Sequence, residues 1–542
     1  MHGLMMNTPL LISSIMRFAD LNYPDREIVS VTADNPNHRY TYRDAFARTR
    51  QLANALNKLG VKQGDRIGTL AWNDYRHFEL YYAVSGSGMV CHTINPRLYP
   101  EQVTYIINHA QDRFLFVDLL VMPLIEKLWP ALAGVEGVVV MTDEAHMPAS
   151  EIPNVMCYET LLASESDQFD WPEFDENTAS ALCYTSGTTG NPKGVLYSHR
   201  SAVLHAYAGC LPDVLAFSGQ DCVLLVVPMF HVNGWGVPYS SPMVGAKMVM
   251  PGPKMADGEA LCALINRESV SIASGVPTIW LALLSYLEQS GATIPSVNRV
   301  SVGGAACPRS IIETFDRKYN VSVHQGWGMT ETSPLGTIFK IKPAMGELTQ
   351  DQQYDLRAKQ GCGVFGIEMR ITDENDQPLP WDGVAFGALK VRGPWVASEY
   401  YKLEDGDNPL DADGWFDTGD VATIDPHGVM TITDRSKDVI KSGGEWISSI
   451  ELENTAVGHP GVVEAAVIGR EHPKWTERPL LIVVTKEQQA VSKDELLAWF
   501  DGRVASWWKP DDVAFVEALP HTATGKIDKL SLRKQFADYK FP

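Results

Sequence analysis

Paired cysteines and positive charge are both scarce in this sequence, and long uninterrupted apolar runs are missing. The eight cysteines, at positions 91, 157, 183, 210, 222, 262, 307 and 362, form no C-x-x-C pair. That scatter argues against a disulfide frame or a zinc site and fits reduced thiols in a cytoplasmic protein. Lys plus Arg number 45 against 66 Asp plus Glu, a formal charge of −21. Such an acidic surface repels phosphate backbones, so nucleic acid is not an expected partner, and an anionic ligand must be caught by a local cluster of donors. The most apolar long window, 114–141, is broken by Asp118, Pro123, Glu126, Lys127 and Pro130, so no transmembrane segment is expected. Met1 to Arg17 has neither a basic leader nor a long apolar stretch, which argues against a signal peptide. Low-complexity tracts, internal repeats and the G-x-x-x-x-G-K-[ST] spacing of a Walker phosphate loop are also lacking.

At 542 residues, 45% of them hydrophobic, the chain is long enough for several packed lobes. Short apolar runs rich in β-formers, such as 113–118, 137–141, 222–227 and 247–250, read as buried strands. Helical patterns such as 42–59 lie between them. Alternation of this kind predicts an α/β fold with parallel pairing, a large multi-lobed N-terminal domain of layered sheets and helices. After residue 433 the texture changes. The charged stretch Asp434-Arg-Ser-Lys-Asp438 precedes a compact unit with strands at 462–468, 480–484 and 512–516. Between the last two, Ser492 and Glu495 form the capping box of a helix. We divide the chain into an N-terminal domain, 1–433, a hinge, 434–438, and a small mobile α+β domain, 439–542.

The segment Tyr184-Thr-Ser-Gly-Thr-Thr-Gly-Asn-Pro-Lys-Gly194 carries most of the chemical information. Four small hydroxyl residues, three glycines and a lysine make a loop dense in phosphate donors, since glycine lets backbone N–H groups converge on an anion. A polar surface turn would not need so many. This loop resembles the phosphate loop of the adenylate-forming superfamily of acyl-CoA synthetases, peptide-synthetase adenylation domains and firefly-type luciferases. Further motifs in that family's order extend the resemblance from about residue 20 to 530.

By that resemblance, Thr185, Ser186, Gly187, Thr188, Thr189, Gly190 and Lys193 hold the ATP phosphates, and Gly303, Gly304, Ala305 and Ala306 floor the adenine. In Gln325-Gly-Trp-Gly-Met-Thr-Glu331, Trp327 stacks on adenine, Gly328 and Met329 join the nucleotide site, and Thr330 meets the α-phosphate. Glu331, with Thr185, holds Mg²⁺. Asp420 of Thr418-Gly-Asp420 accepts the ribose hydroxyls, and Arg435 touches ribose or phosphate. Lys441, Gly443, Gly444 and Glu445 belong to the loop that swings in for the thiol step. Lys526 of Pro520-His-Thr-Ala-Thr-Gly-Lys526 is the implied catalytic lysine, with Glu331, Thr330 and His231 as the other catalytic residues. His231, Trp235, Gly303, Gly328 and Met329 would line the acyl pocket.

The resemblance implies an acid–CoA ligase using ATP, Mg²⁺ and CoA through an acyl-adenylate. Its motifs equally admit a luciferase-like monooxygenase or a ligase that loads a carrier protein. Glycine at 328, where acetate-activating members carry Trp, is expected to leave room for a longer acyl chain, while Trp235 narrows the same space. The expected substrate is a short-to-medium apolar acid, such as a fatty acid or 3-methylmercaptopropionate. The overall sequence also resembles bacterial medium- and long-chain acyl-CoA ligases and 3-methylmercaptopropionate–CoA ligases. Monomer and homodimer both stay open.

Overall fold

The computed structural model describes residues 1, 3–185, 191–402, 408–435, 438–442, 445–486, 491–522 and 526–541. Among them, strands form sheets of nine, seven, five and four. The seven-stranded sheet contains the parallel strands Arg66–Leu70, Val90–Thr93, Asp112–Asp118, Gly137–Met141 and Ala179–Tyr184. These read as continuous apolar runs because helices cover both faces of a parallel sheet. The nine-stranded sheet holds Cys222–Leu225, Lys247–Met250, Ile272–Gly275, Arg299–Val302 and Ser322–Trp327, also in parallel.

The helix Tyr75–Gly86 lies between these two sheets and is buried along its whole length. Its Ser85 hydroxyl donates to Ser180 O of one sheet, and the Tyr81 and Tyr82 hydroxyls donate to Met229 O and Pro238 O, beyond a strand of the other. The charged residues the helix buries are paired there, Arg76 with Asp34 and Glu159, and Glu79 with Arg48, as a helix in a middle layer requires. The capping box expected in the C-terminal part is present, with Ser492 capping Lys493–Trp499 and Glu495 reaching back.

The strands predicted at 113–118, 137–141, 222–227 and 247–250 and the helix at 42–59 agree with the observed elements to within two residues at each end. The four-stranded sheet ends at Arg435. The next strand, Ile440–Ser442, belongs to the five-stranded sheet, which has its own apolar cores around Val467, Leu481 and Ile482.

Candidate active site

The strands Ala179–Tyr184 and Gly194–Ser198, on either side of the donor-rich segment, pair in antiparallel fashion. The base of that segment is closed by the Thr185 N–H donating to Lys193 O at 2.9 Å and the Lys193 N–H to Thr185 Oγ1 at 3.2 Å. Ser186, Gly187, Thr188, Thr189 and Gly190 lie outside the described residues. The Lys193 ammonium sits 4.9 Å from the centroid of the Tyr400 ring, and the Tyr400 hydroxyl donates to Glu331 Oε1 at 2.7 Å. Glu331 follows the strand Ser322–Trp327 on a short turn, pinned where the Tyr197 hydroxyl donates to Thr330 O at 2.7 Å. Burial raises the Glu331 pKa from the usual carboxylate value, the Tyr400 hydroxyl and Arg435 opposing it. Thr330 is buried beside it.

Trp327, at the end of its strand, meets Asp420 and Arg435, which pair across adjacent strands of the four-stranded sheet. The Trp327 indole N–H donates to Asp420 Oδ2 at 2.8 Å, while the Arg435 guanidinium pairs with Asp420 Oδ1 at 2.7 Å. Asp420 is buried, which raises its pKa, and Arg435, Trp327 and Lys526 act against that rise. Each carboxylate oxygen has two lone pairs, so both partners leave acceptor capacity for a diol. Gly336 admits the Trp327 ring: a Cβ there would come within 2.5 Å of it.

Lys526 comes from the opposite end of the chain. Its loop is closed by the Thr522 N–H donating to Lys526 O at 2.7 Å. The side chain lies within electrostatic reach of Arg435, Asp420, Glu331 and His231. Its pKa falls from lysine's ordinary value to about 8, first because protein crowds it and then because of Arg435, with Asp420 and Glu331 pulling the other way. Water still reaches the residue, so this is crowding at a surface rather than in a core. His231, half-buried, is lowered to about 4 by burial and then by Lys526, and is therefore neutral at physiological pH.

The acyl-side residues are placed by unusual backbone. Val232 to Gly236 all have positive φ, from +46° to +73°, one turn in the left-handed region that costs non-glycine residues about 1–2 kcal/mol each. Surrounding contacts hold it: the Cys183 thiol donates to Asn233 Oδ1 at 3.3 Å, and a Cβ at Gly236 would meet His205 Nδ1 at 2.6 Å. The turn lays the Trp235 indole over Gly303, where a Cβ would lie 2.8 Å from the ring, and near Gly304. Ala305 and Ala306 continue the same loop.

At the C-terminal ends of parallel strands stand Thr185 and, near an aromatic ring, the Glu331 carboxylate, with Lys526 from a separate sheet within electrostatic reach of that carboxylate. A model of the AMP-binding enzyme family matches residues 18–401, and a model of the AMP-binding enzyme C-terminal domain matches 451–526. The chain belongs to the AMP-binding enzyme family. It is 53% identical over 538 residues to the 3-methylmercaptopropionyl-CoA ligase of Ruegeria lacuscaerulensis, covering 99% of each chain. It is 48% identical over 538 residues to the medium-chain-fatty-acid–CoA ligase of Ectopseudomonas oleovorans, covering 99% of this chain and 98% of that one. The crystal structure of ATP-bound MatB from Rhodopseudomonas palustris superposes with a TM-score of 0.82 at 26% identity, covering 98% of this chain and 100% of that one.

In this AMP-binding enzyme the structure links Trp327, Asp420, Arg435, Lys526, Glu331 and Lys193 through direct contacts or electrostatic reach, with Thr330 buried beside Glu331, and packs Trp235 on Gly303. Lys441 lies instead on the hairpin Ile440–Ile447 of the small sheet, its N–H donating to Glu477 Oε2 at 2.9 Å. Gly443 and Gly444 lie outside the described residues. At Gly328 a Cβ would lie 1.4 Å from Pro334 O, so a backbone crossing demands glycine in this structure whatever the acyl chain. Sequence reasoning missed Tyr400 and Tyr197, since a tyrosine in a connecting stretch or on an apolar strand carries no sign of the carboxylate or carbonyl it will meet.

Proposed function

We propose that this AMP-binding enzyme is an ATP-dependent acid–CoA ligase. It converts a short-to-medium apolar acid, ATP and CoA into acyl-CoA, AMP and diphosphate through an acyl-adenylate. The convergence of Lys526 on the Trp327–Asp420–Arg435 cluster and Glu331 carries the reading, because it sets a cation from one sheet against the carboxylates and indole of others. The names of the relatives at 53% and 48% identity favour 3-methylmercaptopropionate and medium-chain fatty acids as substrates. A thioether acid suits an indole wall, since sulfur is attracted to aromatic rings.

The acid's carboxylate is already ionised at neutral pH, so adenylation requires charge neutralisation rather than a base. Lys193 at the loop base and Lys526 supply positive charge, while Asp420 and Trp327 hold ribose and adenine. A buried carboxylate whose pKa burial raises is one that a hard cation would return to its charged form, so Glu331 with Thr185 would hold Mg²⁺, which when bound neutralises triphosphate charge. For thioester formation, residues 439–542 turn about 434–438, withdrawing Lys526 and presenting the loop at Gly443 and Gly444. Asp434, whose carboxylate accepts the Ser449 N–H at 2.8 Å, is the pivot. The enzyme is assigned to the cytoplasm on its unpaired thiols, and among the described residues no helix is long and apolar enough to cross a membrane.

The deciding test is AMP release with ATP, Mg²⁺ and CoA against acetate, butyrate, hexanoate, octanoate, palmitate and 3-methylmercaptopropionate. CoA-dependent AMP with a preference at or above butyrate is expected. AMP formed equally without CoA would point to another acceptor, and none with any acid would sink the ligase reading. Because Lys526 must be charged and its pKa is drawn to about 8, kcat/KM for ATP in adenylate formation should fall as pH rises through about 8. In Lys526→Arg that alkaline limb should vanish at reduced activity; a limb unmoved by the substitution would assign it to another group.

A further inference from the structure

Arg97 lies beyond the strand Val90–Thr93, in the segment Asn95-Pro-Arg-Leu98. Its guanidinium carbon sits 5.0 Å from the centroid of the Trp72 ring and 6.0 Å from that of Phe230. The two rings meet each other edge to face at 5.8 Å. Trp72, Arg97 and Phe230 follow three different parallel strands, Arg66–Leu70, Val90–Thr93 and Cys222–Leu225, so three loops from two sheets build one aromatic shelf under one cation. Asn95 Oδ1 accepts the Arg97 backbone N–H at 2.9 Å and fixes the loop.

The shelf adjoins the reaction cleft. Asn95, Leu98 and Phe230 line one narrow cavity together with Tyr184, the last residue before the phosphate loop, and His231, which lies within electrostatic reach of Lys526. In a chain with 21 more acidic than basic residues, no carboxylate among the described residues pairs with Arg97. Burial lowers its pKa from the ordinary arginine value, with no opposing charge to offset the effect. The residue nevertheless remains exposed. A guanidinium stacked on aromatic faces keeps its N–H edge for a bidentate anion, and ring contact holds it in place before the anion arrives.

We infer that Arg97 is a phosphate-binding residue of this active site, receiving either the diphosphate that ATP releases or the phosphates of CoA. This assignment rests on the ligase reading for its ligands. A guanidinium with a purely structural role would be expected on a carboxylate or on backbone carbonyls, as Arg66 is on Ala110 O and Gln111 O, whereas Arg97 has neither among the described residues.

The test compares wild type, Arg97→Gln and Arg97→Lys by calorimetric binding of inorganic pyrophosphate and of CoA. It also measures KM for ATP in ATP–pyrophosphate exchange, and KM for CoA and for pantetheine in thioester formation from supplied acyl-adenylate. Loss of a charged hydrogen-bond pair should weaken one phosphate ligand about tenfold in Arg97→Gln. Arg97→Lys, which keeps the charge without the fork, should lie in between. Weaker pyrophosphate and a raised KM for ATP would assign the leaving diphosphate. A raised KM for CoA with pantetheine unchanged would assign the CoA phosphates. Changes under about twofold for both ligands would overturn the inference, as would equal changes for CoA and pantetheine or an effect confined to the acid. Should Arg97→Gln melt far below wild type, the Lys variant decides by the same criteria. Wild type that makes no AMP from any acid would defeat the ligase reading, and pyrophosphate and CoA binding would still decide the role of Arg97.

Discussion

Lys526→Ala is expected to lower acyl-adenylate formation, read as acid-dependent ATP–pyrophosphate exchange, by roughly a hundredfold or more. It should leave thioester formation from supplied acyl-adenylate within about threefold of wild type. The first figure is that of removing one preorganised charge from a transition state that develops negative charge on phosphate. The asymmetry follows from where Lys526 sits. It stands among Arg435, Asp420 and Glu331, the groups that would face ribose and phosphates, on a loop carried by the five-stranded sheet rather than by the sheets that build the cleft. If that sheet turns away for the second half-reaction, the lysine is not there to be missed. Equal loss in both half-reactions would sink the proposed rotation, and full activity in both would remove Lys526 from the chemistry.

The second large effect is expected at Gly328. The resemblance in sequence suggests that Gly328→Trp would merely shorten an acyl pocket and shift preference toward acetate. The structure predicts otherwise. Any Cβ at 328 runs into the Pro334 carbonyl oxygen at 1.4 Å and its carbon at 2.6 Å, and backbone cannot yield as a flexible side chain can. Gly328→Ala alone should cost about 1–3 kcal/mol or more in overpacking. It should also displace Trp327 and the 329–331 turn, abolishing measurable pyrophosphate exchange with every acid. Gly328→Trp should do at least as much. Thermal melting and exchange with acetate and hexanoate decide the matter. A folded Gly328→Trp variant with improved acetate use would show that the Pro334 segment moves aside and that the position does set chain length.

Tyr400 shows why parts of the site escape sequence reading. Its neighbours Ser398 and Glu399 form no recognisable pattern, and its partner Glu331 is 69 residues away. Trp327 and Asp420 were both legible as motif residues, yet nothing in either motif says that they bond each other across 93 residues. Arg97 is a single arginine in a proline-containing turn until Trp72 and Phe230 are brought beneath it.

The sequence by itself determined the α/β alternation, the apolar parallel strands and the capped helix at Lys493–Trp499. Each of these is written locally, the buried strands as unbroken apolar runs and the helices in the 3.6-residue period or a capping pair. It also determined the residue types of the phosphate loop and of the motifs at 327–331, 418–420 and 520–526, because donors, glycines and charges are local in the chain. Tertiary structure alone decided which of these meet. It set Arg435 and Trp327 on the two oxygens of Asp420, delivered Trp235 to Gly303 through a left-handed turn, and ran the Pro334 carbonyl past Gly328. Such contacts arise between segments that share no period and no spacing, and only packing of the sheets brings them within hydrogen-bond reach.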